Sequence, residues 1–303
     1  MNQYLQFLEK AQGIQERRIS KLTIESYNAS IKKYKKEFEK LDGAPDPFPI
    51  THEKCMVFIE TMREKGRAFS YLKTLISGFA HYCRENNLFD ITKSYEFHKY
   101  KDGLMKTMRG ASNPNAKEPI TPQMLSDISG LIDPADRLQL RDMSMFSMMF
   151  YGFLRFSECA NLKKEDIITE MDGKLRITVR FSKTDPSGEG ESLFIFPSAK
   201  PYCAVHWYIQ YMQHCERNNQ QFNYAMSPTT FKRRLDLYLG KIPLEKDIKS
   251  YAGHSFRRGG ACAAALRGVQ DCMIKAHGRW KSACYTKYTS VQMIEAGSRI
   301  RDI

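Results

Sequence analysis

The chain has no paired cysteines. Its eight cysteines (Cys55, Cys83, Cys159, Cys203, Cys215, Cys262, Cys272 and Cys284) stand singly along 303 residues with no C-x-x-C pair, which argues against a disulfide scaffold or a paired-thiol zinc module. The opening "MNQYLQFLEKAQ" has no basic stretch followed by an apolar core, so a reduced, intracellular setting is expected: nuclear in a eukaryotic host, cytoplasmic otherwise. Long apolar runs are missing too. "MSMFSMMFYGFL" (Met143 to Leu154) falls well short of the roughly 20 residues that span a membrane, and it reads as a buried helix. There is no G-x-x-x-x-G-K-[ST] loop and no G-x-G-x-x-G after a strand, so nucleotide-driven chemistry lacks its usual cradle. Cys203, His206, His214 and Cys215 fit on one long helix rather than in the tighter pairs of a structural zinc site, and no two-metal carboxylate cluster stands out. Acidic charge is also in deficit: 34 Asp and Glu face 47 Lys and Arg, a net +13, as expected of a chain that neutralises a polyanion. Between 250 and 290 there are seven basic side chains and one acid, Asp271.

What is present reads first as helix. In "TIESYNASIKKYKKEFEKL", Ile24, Tyr27, Ile31, Tyr34, Phe38 and Leu41 recur at intervals of three and four, with Thr23 as the expected N-cap. Thr51 then caps a helix to about Glu64, Ser70 begins another, and a shorter one covers about 94–109, so residues 1–108 make a domain of about four helices. "RGASNPNAKEP" (109–119) has no apolar period and is the expected linker. Thr121 and Pro122 then give a strong helix start, opening a second domain over 120–303. Its β region runs from Glu165 to Pro197, with an Asp-Gly turn at 172–173 and a Pro/Gly-rich connection at 185–190. It predicts a three-stranded antiparallel sheet. The expected fold class is therefore mainly α, an α+β arrangement with one small sheet, and no internal repeat is visible.

Several basic residues fall at element ends. Arg155 closes the buried "MSMFSMMFYGFL" helix and is followed three residues later by Glu158. Lys183 sits where the second strand leaves for the third. His254 and Arg257 lie one helical turn apart in "GHSFRRGG". "AHGRWKSACYTKY" (276–288) then holds two registers, since His277 precedes Tyr285 by eight residues and Trp280 precedes Tyr288 by the same eight.

The ordered succession "YGFLRFSE", "FSKT", "HSFRRGG" and "GRWKSACYTKY" resembles the tyrosine recombinase (phage-integrase) family, and "HSFRRGGACAAAL…GRWKS" is most similar to recombinases of eukaryotic mobile elements of the DIRS-like and Crypton-like kinds. The resemblance implies a DNA strand transferase with an N-terminal helical DNA-clamping (core-binding) domain and a catalytic domain over 120–303. It implies a catalytic set of Arg155, Lys183, His254, Arg257, Trp280 and Tyr288, with Glu158 in support, and the Trp280/Tyr288 register because the family's phosphate-contacting His or Trp follows a Gly-containing turn. Tyr285 is then a packing residue.

Phosphate chemistry suits those residue types. Two guanidiniums and an indole N–H can hold phosphate oxygens, while a base must activate a phenol whose ordinary pKa is about 10. A phosphotyrosyl ester keeps the energy of the broken bond, so the chemistry needs no metal, ATP or other cofactor. The partners implied are double-stranded DNA, without a membrane, and copies of the same chain: a tetramer on two sites, with the tail at about 290–303 reaching a neighbour. Lys232, Arg233 and Arg234 on a basic helix, together with Arg258 and Lys281, are the expected DNA contacts. Two other readings stay open at this point: relaxation of supercoils by a type IB topoisomerase, and a domesticated protein that binds DNA without cutting it.

Overall fold

The structure is a computed structural model that describes residues 3–16, 19–108, 117–180 and 190–286. The chain divides into two compact units, Met1–Pro114 and Asn115–Ile303. Most of the expected linker, residues 109–116, lies outside the described residues, as do Lys183, Tyr288 and the tail at 290–303.

The first unit is helical among its described residues: α1 (Gln3–Glu16), α2 (Lys21–Phe38), α3 (His52–Glu64), α4 (Phe69–Glu85) and α5 (Tyr95–Thr107). Its core gathers around Tyr34, whose ring lies within 6.0 Å of those of Phe38, Phe48, Phe58 and Phe79. The buried hydroxyl of Tyr34 donates to the carbonyl of Pro47 at 2.6 Å, so the one polar atom of this aromatic centre is satisfied. Thr51 and Ser94 cap α3 and α5 through their hydroxyls. The N-cap expected at Thr23 is instead Ser20, whose Oγ accepts the Thr23 amide at 3.3 Å and starts α2 three residues earlier than Thr23 would have done. The periodic apolar pattern marks where a helix buries its face, and a polar first turn lies ahead of it.

The second unit runs α6 (Pro122–Ser129), α7 (Arg137–Tyr151), α8 (Phe156–Ala160), β1 (Ile167–Thr169), β2 (Leu175–Val179), β3 (Glu191–Ile195), α9 (Ala204–Arg217), α10 (Pro228–Leu239), α11 (Gly253–Leu266) and α12 (Asp271–His277). The fold class is thus mainly α with one small antiparallel sheet, in the order β1-β2-β3. Ile177 stands opposite Ile167 on one side and Leu193 on the other, so alternate residues of β2 and β3, with Ile167 of β1, turn to the core. Every residue of α7 from Leu140 to Phe150 except Arg141 is buried, as befits the central helix of the unit.

Helix α11 crosses α7 closely, with the ring of Phe256 stacked on Phe146 at 4.9 Å. The glycine pair in "RRGG" serves two close approaches, Gly260 to α7 and Gly259 to the stretch of chain at Ile120 that leads into α6. A Cβ on Gly260 would stand 2.1 Å from the carbonyl oxygen of Phe150, and one on Gly259 2.0 Å from that of Ile120. Ordinarily, replacing a mid-helix Gly by Ala stabilises by roughly 0.5–1 kcal/mol. Here the sign reverses, because a backbone oxygen cannot step aside as a side chain can. Gly260→Ala is expected to destabilise the second unit by about 3 kcal/mol, the upper part of the range for overpacking. Urea unfolding followed by circular dichroism checks this through a lowered midpoint.

Candidate active site

Helix α7 ends at Tyr151, and the chain reverses through Gly152 and Phe153, whose φ of 44° lies in the left-handed region. Arg155 therefore does not close α7, as its sequence position suggested, but caps α8 in an extended conformation. Glu158, at the third position of α8, folds back to accept the Arg155 amide at 2.9 Å through Oε2 while its Oε1 accepts from the Arg155 guanidinium. One carboxylate thus caps a helix and holds an arginine.

Arg257 projects from α11 toward the same place. Its side chain is fully buried, with Nη1 donating to the carbonyl of Phe153 and Nη2 to that of Gly278 at 2.5 Å, and Nη1 lies 3.9 Å from Glu158 Oε2. The indole of Trp280 covers the guanidinium, whose central carbon is 4.3 Å from the ring centroid. A third guanidinium, that of Arg279, donates to Glu158 Oε2 at 2.8 Å. Glu158 is 4 % exposed, and burial pushes its pKa up, but the charges of Arg279 and Arg155 with their hydrogen bonds prevail and hold it below the usual carboxylate range.

His254 sits one turn before Arg257 on α11. Desolvation and then the charges of Arg257, Arg155 and Arg258 lower its pKa. The imidazole itself faces solvent. His254 is therefore neutral at pH 7 and free of a proton on one ring nitrogen, as a general base must be.

His277 belongs elsewhere. Its Nε2–H donates to the Tyr151 carbonyl at 2.7 Å, and its ring meets Phe153 edge-on at 4.8 Å. Tyr285 is partly buried in a small apolar cluster with Phe153, Ala261, Ala265, Ile274 and Trp280, its ring 5.9 Å from the indole. The three carbonyls at the end of α7 are all occupied from the same direction: Tyr151 by His277, Gly152 by Arg279 at 3.3 Å, and Phe153 by Arg257. Carbonyls at a helix C-terminus carry partial negative charge, and here two guanidiniums and the ring N–H of His277, whose pKa burial and then the nearby arginines lower, answer it.

No family model matches the chain. Among curated proteins it is 26% identical over 200 residues to an integrase/recombinase xerD homolog from Selenomonas ruminantium, covering 60% of this chain and 58% of that protein, so the chain spans well under two thirds of its relative's length. Among solved structures it superposes on the XerH site-specific recombinase in a post-cleavage complex with palindromic difH, with a TM-score of 0.66, 15% identity, and 93% and 80% of the two chains covered. It also superposes on a chain from the structure of a lambda integrase tetramer bound to a Holliday junction, with a TM-score of 0.58, 15% identity, and 94% and 76% of the two chains covered. The chain has the tyrosine recombinase fold.

Within that recombinase fold, the structure brings together Arg155, Glu158, Arg257 and Trp280, with His254 beside them, whereas Lys183 and Tyr288 lie outside the described residues. The expected DNA-contacting cations divide. Arg233 is exposed on α10, and Lys232 pairs there with Asp236 one turn on. Arg234 must be reassigned: it turns inward to the buried carboxylate of Asp142, which also accepts from Arg141 at 3.0 Å and Tyr238 at 3.1 Å, and so it fastens α10 to α7. Consecutive residues on a helix point about 100° apart, so three in a row cannot share one open face. Arg258 likewise turns to the protein, donating to the Lys117 carbonyl, while Lys281 is exposed. Arg279 and Asp142 escaped the sequence reading. Helical period could have flagged Asp142 on an otherwise apolar helix, but nothing in "GRW" marks Arg279 as buried.

The turn that presents Trp280 has little slack. A Cβ on Gly278 would fall 1.9 Å from an indole ring carbon of Trp280. Gly278→Ala is expected to lift the indole from Arg257, shift tryptophan emission to longer wavelength and cost about 1–3 kcal/mol in urea unfolding.

Proposed function

We propose that the chain is a site-specific DNA recombinase that cuts and rejoins DNA through a covalent 3′-phosphotyrosine intermediate. The observation that carries this reading is the convergence of Arg155, Arg257 and Arg279 on the single buried carboxylate of Glu158, with His254 alongside. Guanidiniums outnumber the carboxylate between them, so an anion is the complement the site calls for, and a phosphodiester with developing negative charge on its oxygens supplies it.

In this scheme Arg155 and Arg257 hold the non-bridging oxygens and Trp280 shields and supports Arg257. His254 accepts the phenol proton as the Tyr288 oxygen attacks phosphorus. The bond to the 5′ oxygen breaks, and Lys183 gives that oxygen its proton. The free 5′ hydroxyl of a partner duplex then reverses the step. Because the phosphotyrosyl ester conserves the bond energy, religation needs no metal or nucleotide.

The scheme extends to partners. Double-stranded DNA is the substrate, residues 1–108 clamp it, and Lys232, Arg233 and Lys281 offer phosphate contacts. Four copies act on two sites, with the tail at about 290–303 passing to a neighbour. This assembly is supported by the lambda integrase tetramer on a Holliday junction, which shares the fold. The motif likeness to DIRS-like and Crypton-like recombinases supports a mobile element as the origin. Neither unaided relaxation of supercoils nor inert DNA binding draws support from the recombinases that share this fold.

The test uses a library of nicked random-sequence duplexes, in which cleavage beside the nick releases a short end and traps the adduct. A detergent-stable protein–DNA species is expected, and mass spectrometry should place the nucleotide on Tyr288. Tyr288→Phe should give none while keeping its DNA affinity nearly unchanged. If the wild-type protein forms no adduct, the reading fails.

The rate should also report on His254. Its folded pKa is lowered, so the imidazole stays neutral down to a pH below its ordinary value of about 6.5. Single-turnover cleavage is accordingly expected to hold from pH 8 to 6.5 and to fall only below that, as the ring gains a proton. His254→Gln should be slow at every pH and lack this acid limb.

A further inference from the structure

Arg279 has no part in the chemistry described above, yet four residues of the site and its surroundings, Glu158, Gly152, His277 and Glu191, meet at its guanidinium. Its side chain is 4 % exposed, and its φ of 55° is a left-handed conformation that an L-residue adopts at a cost. Its guanidinium faces three ways. Nη2 donates to Glu158 Oε2 at 2.8 Å, and Nη1 reaches the carbonyls of Gly152 at 3.3 Å and His277 at 3.4 Å. Nε faces Glu191 Oε2 at 3.7 Å, and both of these atoms are buried without a hydrogen-bond partner among the described residues. They lie just beyond hydrogen-bond reach, so a small movement of Glu191 would complete the pair.

Glu191 opens β3, and so stands at one foot of the connection 181–189 that carries Lys183. At the other foot, Arg180 follows β2 and pairs with Asp166, which is 3 % exposed and also accepts the Lys163 amide at 2.9 Å. Ion pairs therefore hold both feet of that connection, and one of them is made by the guanidinium that holds Glu158.

We propose that Arg279 is a positioning residue for strand transfer: it fixes Glu158, and through it Arg155, and links that carboxylate to the foot of the segment carrying Lys183, without touching DNA. The proposal rests on the strand-transfer reading given above. A planar fork of five donors can serve a carboxylate, two carbonyls and a second carboxylate at once, which a lysine ammonium cannot.

The experiment compares wild type, Arg279→Gly, Arg279→Lys, Glu158→Gln and the Gly/Gln double variant on the nicked duplex that wild type traps most efficiently. Glycine is at ease at positive φ, so Arg279→Gly removes the side chain while relieving the backbone. Thermal melting sets an assay temperature at which every variant is folded, and if the glycine variant does not fold, Arg279→Lys carries the same test. Duplex affinity by fluorescence anisotropy should stay within about twofold while the single-turnover adduct rate falls about 100-fold, the scale of a 1 Å misplacement at a reacting centre. Arg279→Lys should recover only part of that loss.

Two further readouts separate positioning from general loosening of the fold. In the Glu158→Gln background, removing Arg279 should cost less than about threefold, because the two residues act as one unit. In Arg279→Gly alone, Glu158 loses the charge that does most to keep it ionised, so the rate should gain an acid limb at higher pH that the double variant lacks. An Arg279→Gly protein that cleaves within threefold of wild type would overturn the proposal, as would an equal loss in the Glu158→Gln background. If wild type itself forms no adduct, the strand-transfer reading fails and takes this one with it.

Discussion

Glu158 holds one negative charge among guanidiniums that come from three separate stretches of chain: the cap of α8, the first turns of α11 and the turn beyond α12. Each arginine alone would be a poor occupant of a buried site, and the three together would repel one another. At an effective dielectric near 20, an ion pair about 4 Å apart gains roughly 4 kcal/mol, and a like-charged pair at that distance loses as much. A carboxylate in the middle turns the repulsion into a common attachment point. That is why α8, α11 and the Gly278–Trp280 turn can meet at all, and why a surplus of positive charge survives there. The apolar contacts around this point, Trp280 over Arg257 and Phe153 against Trp280 and His277, keep water from weakening it.

Much of this was legible in the chain. Apolar spacing located α2 to α5 of the first unit but passed over α1, the Asp-Gly turn and the alternating strands located the sheet, and motif order picked out Arg155, Glu158, His254, Arg257 and Trp280, which the fold then gathers. The misses share a cause. Thr23 was favoured over Ser20 because an apolar period reveals the buried face of a helix and says little about its polar first turn. Arg155 was read as the end of α7 because a left-handed residue at Phe153 is invisible in a string that otherwise continues a helix. Arg234, Arg258 and Arg279 were read as surface cations or passed over, since sequence shows that a residue is charged but not which way it points. Their partners are distant in the chain: Asp142, Lys117 and Glu158.

A different economy governs the basic helix α10. Its three consecutive cations do separate work because the helix turns about 100° per residue. Arg234 binds inward to Asp142, Lys232 is steadied by Asp236, and Arg233 is left toward solvent. The inward pair fixes the angle at which the outer two are shown, so the outer face of α10 inherits its orientation from the core.

The end of α7 makes the centre an all-or-none object. The carbonyls of its last residue, Tyr151, and of the next two, Gly152 and Phe153, are taken by His277, Arg279 and Arg257, which are made more than a hundred residues later in the chain. A ribosome-bound or truncated chain that stops short of α11 possesses Arg155 and Glu158 but has nothing to close the far side of the pocket. The centre is thereby complete only when the whole unit has been made, and that dependence is written into three backbone oxygens that no substitution of their own side chains can remove.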